Sequence, residues 1–266
     1  MEVLFEEWGA AGIFFTVLRL FLPCLVIMWI LGVPVRAAFP VRLPRLAAPG
    51  VFCTLGMSII GITLAAVIGG MIQDNFGVSP TMPDFSPPYG MAATIIYMIS
   101  LSIIPAVFEE LLFRGVILQS LRHFGDGFAL IVSSILFAFL HGNLVQAPNA
   151  FLVGLVLGYF ALRSGSIFTP IIMHFANNAF AAIISVAGMY LPPERMELLG
   201  GAMVYSYLSL GILGIVIMIS RHGGFIRPLR RGGSLRGWEK YTVFFTAPVA
   251  LVFIAAASWL IILSME

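Results

Sequence analysis

Long apolar runs, separated by short polar stretches, dominate the hydrophobic pattern of the chain. Several of them approach or exceed the ~20 residues that an α-helix needs to cross the hydrocarbon core of a bilayer. The runs lie at about 12–33, 51–72, 91–122, 127–141, 150–163, 166–189, 201–220 and 241–264. This pattern predicts an all-α polytopic membrane protein, a bundle of about eight transmembrane helices. Because the fourth and fifth runs are short, we expect those helices to be tilted or re-entrant.

The polar stretches between the runs give no reason to divide the chain into more than one domain. The longest external one, 73–90, is rich in Pro, Gly and Ser, which is typical of an irregular loop. No internal repeat and no low-complexity tract is evident. The sequence therefore predicts a single transmembrane domain over residues 1–266, with its polar motifs in a core of about 91–189.

The composition agrees with a membrane protein. Hydrophobic residues make up 60% of the chain and charged residues 10%, whereas about 25% charged is usual in soluble proteins. The formal net charge of +2 gives no indication of a nucleic-acid partner. Cys24 and Cys53 fall inside predicted helices and form no CxxC metal-binding spacing. The lipid bilayer is the partner that these features indicate.

The distribution of Lys and Arg predicts how the bundle is oriented. With eight helices, eleven of the fourteen basic residues fall in loops on one side, chiefly 34–50 and 221–240. Because Lys and Arg resist translocation, this side is predicted to be cytoplasmic. Both termini then face the extracytoplasmic side. We expect an integral, multi-pass protein of a prokaryotic cell membrane.

Ionisable side chains inside the apolar runs are the strongest indication of function, because a charge in hydrocarbon is costly unless it is paired or hydrated. Glu109 and Glu110 interrupt the third run, His141 ends the fourth and His174 lies in the sixth. Glu110 and Arg114 are four residues apart and can pair on one helix face. We expect these helices to bring their polar groups to one hydrated intramembrane cavity.

Several chemistries are compatible with these residues. Glu109, His141 and His174 are ligand types that Zn²⁺ accepts, with water as a fourth ligand, although no HExxH motif is present. Intramembrane Glu and His also serve as proton relays in transporters, but no inverted repeat relates the two halves. His174 and Asn178 share one helix edge, whereas Asn177 lies on another face and receives no role.

Three short motifs occur in order on successive predicted helices. Residues 109–114 read EExxxR, residues 137–141 read FxxxH and residues 174–178 read HxxxN. In this order they resemble the CAAX protease and bacteriocin-processing family of intramembrane endopeptidases, also called CPBP or ABI. Its best-known branch is the type II CAAX prenyl endopeptidase, or Ras-converting enzyme. The resemblance extends from about residue 105 to 178, and the flanking helices are matched only by hydropathy.

The resemblance implies an intramembrane endopeptidase with four catalytic residues. Glu109, oriented with His141, would activate the water that attacks the scissile carbonyl. His174 and Asn178 would donate hydrogen bonds to the developing oxyanion. Glu110 and Arg114 would support the site.

We expect no cofactor in this mechanism. The alternative is a zinc-dependent metalloprotease with Glu109, His141 and His174 as ligands. The expected substrate is a membrane-embedded or lipidated peptide or protein, either prenylated or of the leader type, and the protein is expected to be a monomer. The sequence is also compatible with a non-catalytic membrane scaffold or immunity factor and, with less support, with a proton-coupled transporter.

Overall fold

The structure is a computed structural model of the 266-residue chain. It describes residues 10–78, 80, 85–225, 229–230, 232, 237–246, 254–255, 258–259 and 262. The principal helices of these residues are α1 Ala10–Leu31, α2 Ala47–Phe76, α3 Met91–Glu110, α4 Asp126–Leu140, α5 Ala147–Ser164, α6 Phe168–Gly188, α7 Pro193–His222 and α8 Glu239–Phe245. The predicted all-α class is therefore confirmed.

Six helical segments in the described part of the chain are long and apolar enough to cross a membrane. Helix α4 is apolar but has only 15 residues, in agreement with the short fourth run. Seven of the eight predicted runs thus correspond to helices. The eighth, 241–264, lies largely outside the described residues, so the count of eight stays a prediction.

Two helices extend well beyond their predicted limits. Helix α2 begins at Ala47 instead of 51 and ends at Phe76, where Gly77 caps it with a positive φ of 68°. Glycine adopts this left-handed conformation without steric cost, which ends the helix. Helix α7 begins at Pro193, before the apolar run, because proline is favoured in the first helical turn. Hydropathy marks the part of a helix that lipid covers and misses its polar ends.

Helix α3 continues beyond Glu110 without a break but with altered geometry. A π-helix, Leu111–Ile117, is followed by an α-turn, Leu118–Leu121, and a 3₁₀ turn, Arg122–Phe124. Together they form one apolar segment of 34 residues, Met91–Phe124. π-Helical turns inside helices are rare and occur frequently at functional sites.

Helix α2 packs against α5, α6 and α7, while α3 packs against α6 and α4 against α5. Small residues allow the closest approaches. A Cβ atom on Gly56 would lie 2.7 Å from the Cα atom of Gly211, so the backbones of α2 and α7 touch there. On α5, Gly154 and Gly158 leave room for the side chains of Ser134 and Leu130 of α4. Such small-residue contacts are typical of helix packing in membranes.

The loops that carry the basic residues contact one another at one end of the bundle. Ser166 Oγ donates a hydrogen bond to the carbonyl oxygen of Arg42 at 2.7 Å. The backbone N–H of Asp126 donates to the carbonyl oxygen of Arg230 at 2.9 Å. These contacts agree with the charge pattern, which assigned the loops to one side of the membrane. Which side is cytoplasmic stays a prediction.

Candidate active site

Glu110 and Arg114 form a buried ion pair where α3 changes into the π-helix. Arg114 Nη1 donates to Glu110 Oε1 at 2.5 Å, and both side chains are almost completely buried. Arg114 Nη2 donates to the carbonyl oxygen of Gly154 on α5 at 3.2 Å. The guanidinium also lies 4.3 Å from the centre of the Phe137 ring. The predicted pair is present, and it connects α3 to α4 and α5.

His174 on α6 contacts the same carboxylate. Its Nδ1 lies 2.8 Å from Glu110 Oε1, and the residue is 4% exposed. Because Arg114 donates to this same Oε1 atom, the oxygen accepts and Nδ1 of His174 carries the proton. Nε2 of the ring lies 3.1 Å from Nδ2 of Asn178. Glu110, expected only to support the site, therefore also orients His174.

A hydrogen-bond chain continues from His174 through α6 to α2. Asn178 Nδ2 donates to the carbonyl oxygen of Leu101 at 3.2 Å. Its Oδ1 accepts from Nδ2 of Asn177 at 3.3 Å, and Asn177 Oδ1 accepts from Ser58 Oγ at 2.6 Å. The sequence assigned no role to Asn177 and gave no signal for Ser58, because a serine in a membrane helix usually bonds its own backbone.

Glu109 lies beside this network but outside it. The residue is half-buried, and its Oε2 atom is buried without a hydrogen-bond partner among the described residues. Oε2 of Glu110 is likewise without a partner there, but Oε1 of Glu110 meets both Arg114 and His174. A buried carboxylate oxygen without a partner costs free energy unless a polar group meets it. Glu109 is therefore available to a polar group that enters the site, whereas the charge of Glu110 is already compensated.

His141 ends α4 and approaches the site through Phe137. Its Nδ1 lies 2.9 Å from the carbonyl oxygen of Phe137, which can only accept, so Nδ1 carries a proton and Nε2 faces away from the backbone. The Phe137 ring packs edge-on against His141 at 5.1 Å and against His174 at 5.8 Å between centroids. Within the described residues, no hydrogen bond joins His141 to Glu109.

The metal alternative required Glu109, His141 and His174 to converge. Among the residues that the structure describes, no group of three or more His, Cys, Asp or Glu side chains could hold a metal ion. His174 instead contacts Glu110, whose charge Arg114 compensates. The donor set thus fits a hydrogen-bonded network better than a metal centre.

Comparison with known proteins identifies the region that contains this site. Residues 91–180 match the model of a family described as type II CAAX prenyl endopeptidase Rce1-like. An uncharacterized 24.3 kDa protein of Escherichia coli is 26% identical over 153 residues, which cover 55% of this chain. The match spans 66% of that relative, slightly under two thirds of its length. No solved structure matches the chain significantly. The family match contains all three motifs.

Proposed function

We propose that the protein is an intramembrane endopeptidase of the glutamate type, and the match of residues 91–180 to the Rce1-like family of type II CAAX prenyl endopeptidases supports this proposal. The observation that carries the proposal is the contrast between two adjacent carboxylates. Glu110 is held by Arg114 and His174, while Glu109 forms no ion pair among the described residues and keeps a buried oxygen without a partner there.

In this proposal Glu109 is the general base. A partly desolvated carboxylate can accept a proton from water, and the resulting nucleophile attacks the scissile carbonyl. The proton then passes from Glu109 to the leaving amine, so the carboxylate is regenerated. His141 would orient the water from Nε2, since its Nδ1 is already bonded to Phe137. No serine or cysteine nucleophile is needed for this chemistry.

His174 and Asn178 would stabilise the oxyanion. Nε2 of His174 and Nδ2 of Asn178 lie 3.1 Å apart, so one oxygen atom to the side of both could accept a hydrogen bond from each. Nδ2 is already a donor. Nε2 is a donor in the ring form that carries a proton on both nitrogens, in which Nδ1 donates to Glu110. An oxyanion-hole donor of this kind contributes roughly 3–4 kcal/mol to transition-state stabilisation.

The proposed substrate is a peptide segment delivered from the membrane, either on a lipidated chain terminus or within a leader or transmembrane segment. The site supports this class because its residues come from the apolar helices α3, α4 and α6. A substrate that partitions into the bilayer therefore reaches the catalytic groups without leaving it.

A cleavage screen tests the proposal. Purified protein in detergent is incubated with matched prenylated and unprenylated peptides, and products are identified by mass spectrometry. We expect defined endoproteolytic products that are absent with Glu109→Ala. If no peptide or leader-type substrate is cleaved, the protein is a non-catalytic member of the fold. If the variant cleaves equally well, Glu109 is not the general base.

A further inference from the structure

Ser58 is distinguished from the other hydroxyl residues of α2 by its hydrogen-bond partner. Thr54 Oγ1 and Thr63 Oγ1 each donate to a carbonyl oxygen of their own helix at 2.8 Å, four residues earlier. Ser58 Oγ instead reaches across to Asn177 Oδ1 on α6 at 2.6 Å. Ser58 is 3% exposed, so this contact is shielded from solvent and lipid.

The directions of the hydrogen bonds follow from one fixed acceptor. The carbonyl oxygen of Leu101 can only accept, so it selects the NH₂ side of the Asn178 amide. The Oδ1 atom of Asn178 must then face a donor, which is Nδ2 of Asn177. Asn177 Oδ1 in turn needs a donor, and the Ser58 hydroxyl supplies it. Each group determines the orientation of the next.

We propose that Ser58 and Asn177 are positioning residues, which hold the Asn178 amide with its NH₂ group towards the oxyanion. If the amide rotated by half a turn, Oδ1 would face both the Leu101 carbonyl and the oxyanion, and all three oxygens would repel one another. The inference rests on the proposed function, because it presumes that Asn178 is an oxyanion donor. It adds two residues outside the three motif signatures, one of them on α2.

The test measures kcat and KM of the purified enzyme with the best peptide of the cleavage screen. Ser58→Ala and Asn177→Leu should each lower kcat by about tenfold with little change in KM. Ser58→Ala removes the hydrogen bond to Asn177, and Asn177→Leu removes this bond and the one to Asn178. Ser58→Thr keeps a hydroxyl and should restore most of kcat. Thr54→Val is the matched control, because that hydroxyl is buried one turn away and bonds only its own helix. It should keep wild-type kcat.

A double-mutant cycle separates positioning from a general loss of packing. If Asn177 acts only through Asn178, then Asn177→Leu combined with Asn178→Ala should be no slower than Asn178→Ala alone. Thermal unfolding of each variant in detergent shows whether it is folded. Should Asn177→Leu fail to fold, Asn177→Ala takes its place, because it removes the NH₂ donor without adding bulk or charge.

The outcomes distinguish this inference from the proposed function. Wild-type kcat in Ser58→Ala and Asn177→Leu, with Asn178→Ala impaired, would overturn the positioning role and leave the peptidase intact. Fully additive losses in the double variant would also overturn it. Wild-type kcat in Asn178→Ala would overturn both the positioning role and the oxyanion assignment. Non-additive losses of kcat in the double variant, together with restored kcat in Ser58→Thr, would establish the positioning role.

Discussion

At the scale of the residue, two neighbouring glutamates differ in their partners. A helix turns by about 100° per residue, so Glu109 and Glu110 face different neighbours. Glu110 faces Arg114 and His174, and it is completely buried. Glu109 is half-buried, and its Oε2 has no partner among the described residues. Substitution of each carboxylate by its amide should therefore have different consequences.

Glu109→Gln should abolish turnover and leave the fold intact, because it removes the base while conserving the shape. Glu110→Gln should lower stability and activity together, because the charge of Arg114 then lies buried without its counter-ion. Breaking such a pair costs roughly 3–5 kcal/mol of unfolding free energy. Turnover and thermal unfolding in detergent report the two effects. A stable but inactive Glu110→Gln, with an active Glu109→Gln, would exchange their roles.

Asn178→Ala should lower kcat by roughly a hundredfold or more with a modest change in KM, because the lost hydrogen bond forms mainly in the transition state. Steady-state kinetics of the purified variant measure both constants. A large increase in KM at unchanged kcat would instead assign Asn178 to substrate binding.

Chelation should have little effect on turnover, and elemental analysis should find well under one metal ion per chain. The reason is that, among the described residues, His174 contacts Glu110, which pairs with Arg114. No three metal-ligating side chains lie close together there. Reversible inactivation by a chelator, with stoichiometric zinc that His174→Ala loses, would instead establish the metalloprotease alternative.

Some contacts of the site follow from the sequence alone, whereas others depend on the tertiary structure. The Glu110–Arg114 pair depends only on helix geometry, so its spacing of four predicts it. The contact of Glu110 with His174 depends on how α3 and α6 are rotated against each other, which a single helix does not determine. Ser58 was beyond prediction because its choice between a carbonyl of α2 and Asn177 depends on the same tertiary placement.

At the scale of the element, the π-helix after Glu110 and the glycines of the bundle position the site. Within the π-helix, Gly115 makes room for the short segment that precedes α2. A Cβ atom there would lie 2.7 Å from Cε1 of Phe39. Apolar periodicity predicted the helices but neither the π-helix nor the close approaches, since both depend on side chains from distant parts of the chain.

Gly56→Ala should destabilise the bundle, because the new methyl group would meet the backbone of α7 at Gly211. Overpacking of this kind costs roughly 1–3 kcal/mol. Gly200→Ala is the matched control, since Gly200 is also helical but has nothing within 4 Å of the added atom. It should be neutral or slightly stabilising. Thermal unfolding in detergent compares them, and equal stability of the two variants would refute the close contact.

At the scale of the whole molecule, the sequence predicted the class and the grouping of basic loops. Hydropathy and charge depend on local composition, which is why an all-α polytopic protein could be expected. Contacts such as Asp126 with Arg230 agree with that grouping. The eighth helix and the orientation in the membrane stay predictions, because much of 241–264 lies outside the described residues.

Reporter fusions test the predicted topology. A fusion after residue 230 should report the cytoplasmic side and a fusion at the C-terminus the opposite side, because basic loops resist translocation and one helix is predicted between them. A reporter inserted in the acidic loop 73–90 serves as an extracytoplasmic control. Two fusions on the same side would mean that 241–264 does not cross the membrane.

The most direct test of glutamate-type intramembrane proteolysis is the single-turnover cleavage rate of wild type and Glu109→Gln, reconstituted in identical lipid nanodiscs with one membrane-anchored peptide. Single-turnover conditions isolate the chemical step from product release. We predict that wild type cleaves at one position and that Glu109→Gln, with unchanged thermal stability, is slower by about 10²- to 10⁴-fold, the usual contribution of a general base. Cleavage by folded Glu109→Gln at the wild-type rate would contradict the account.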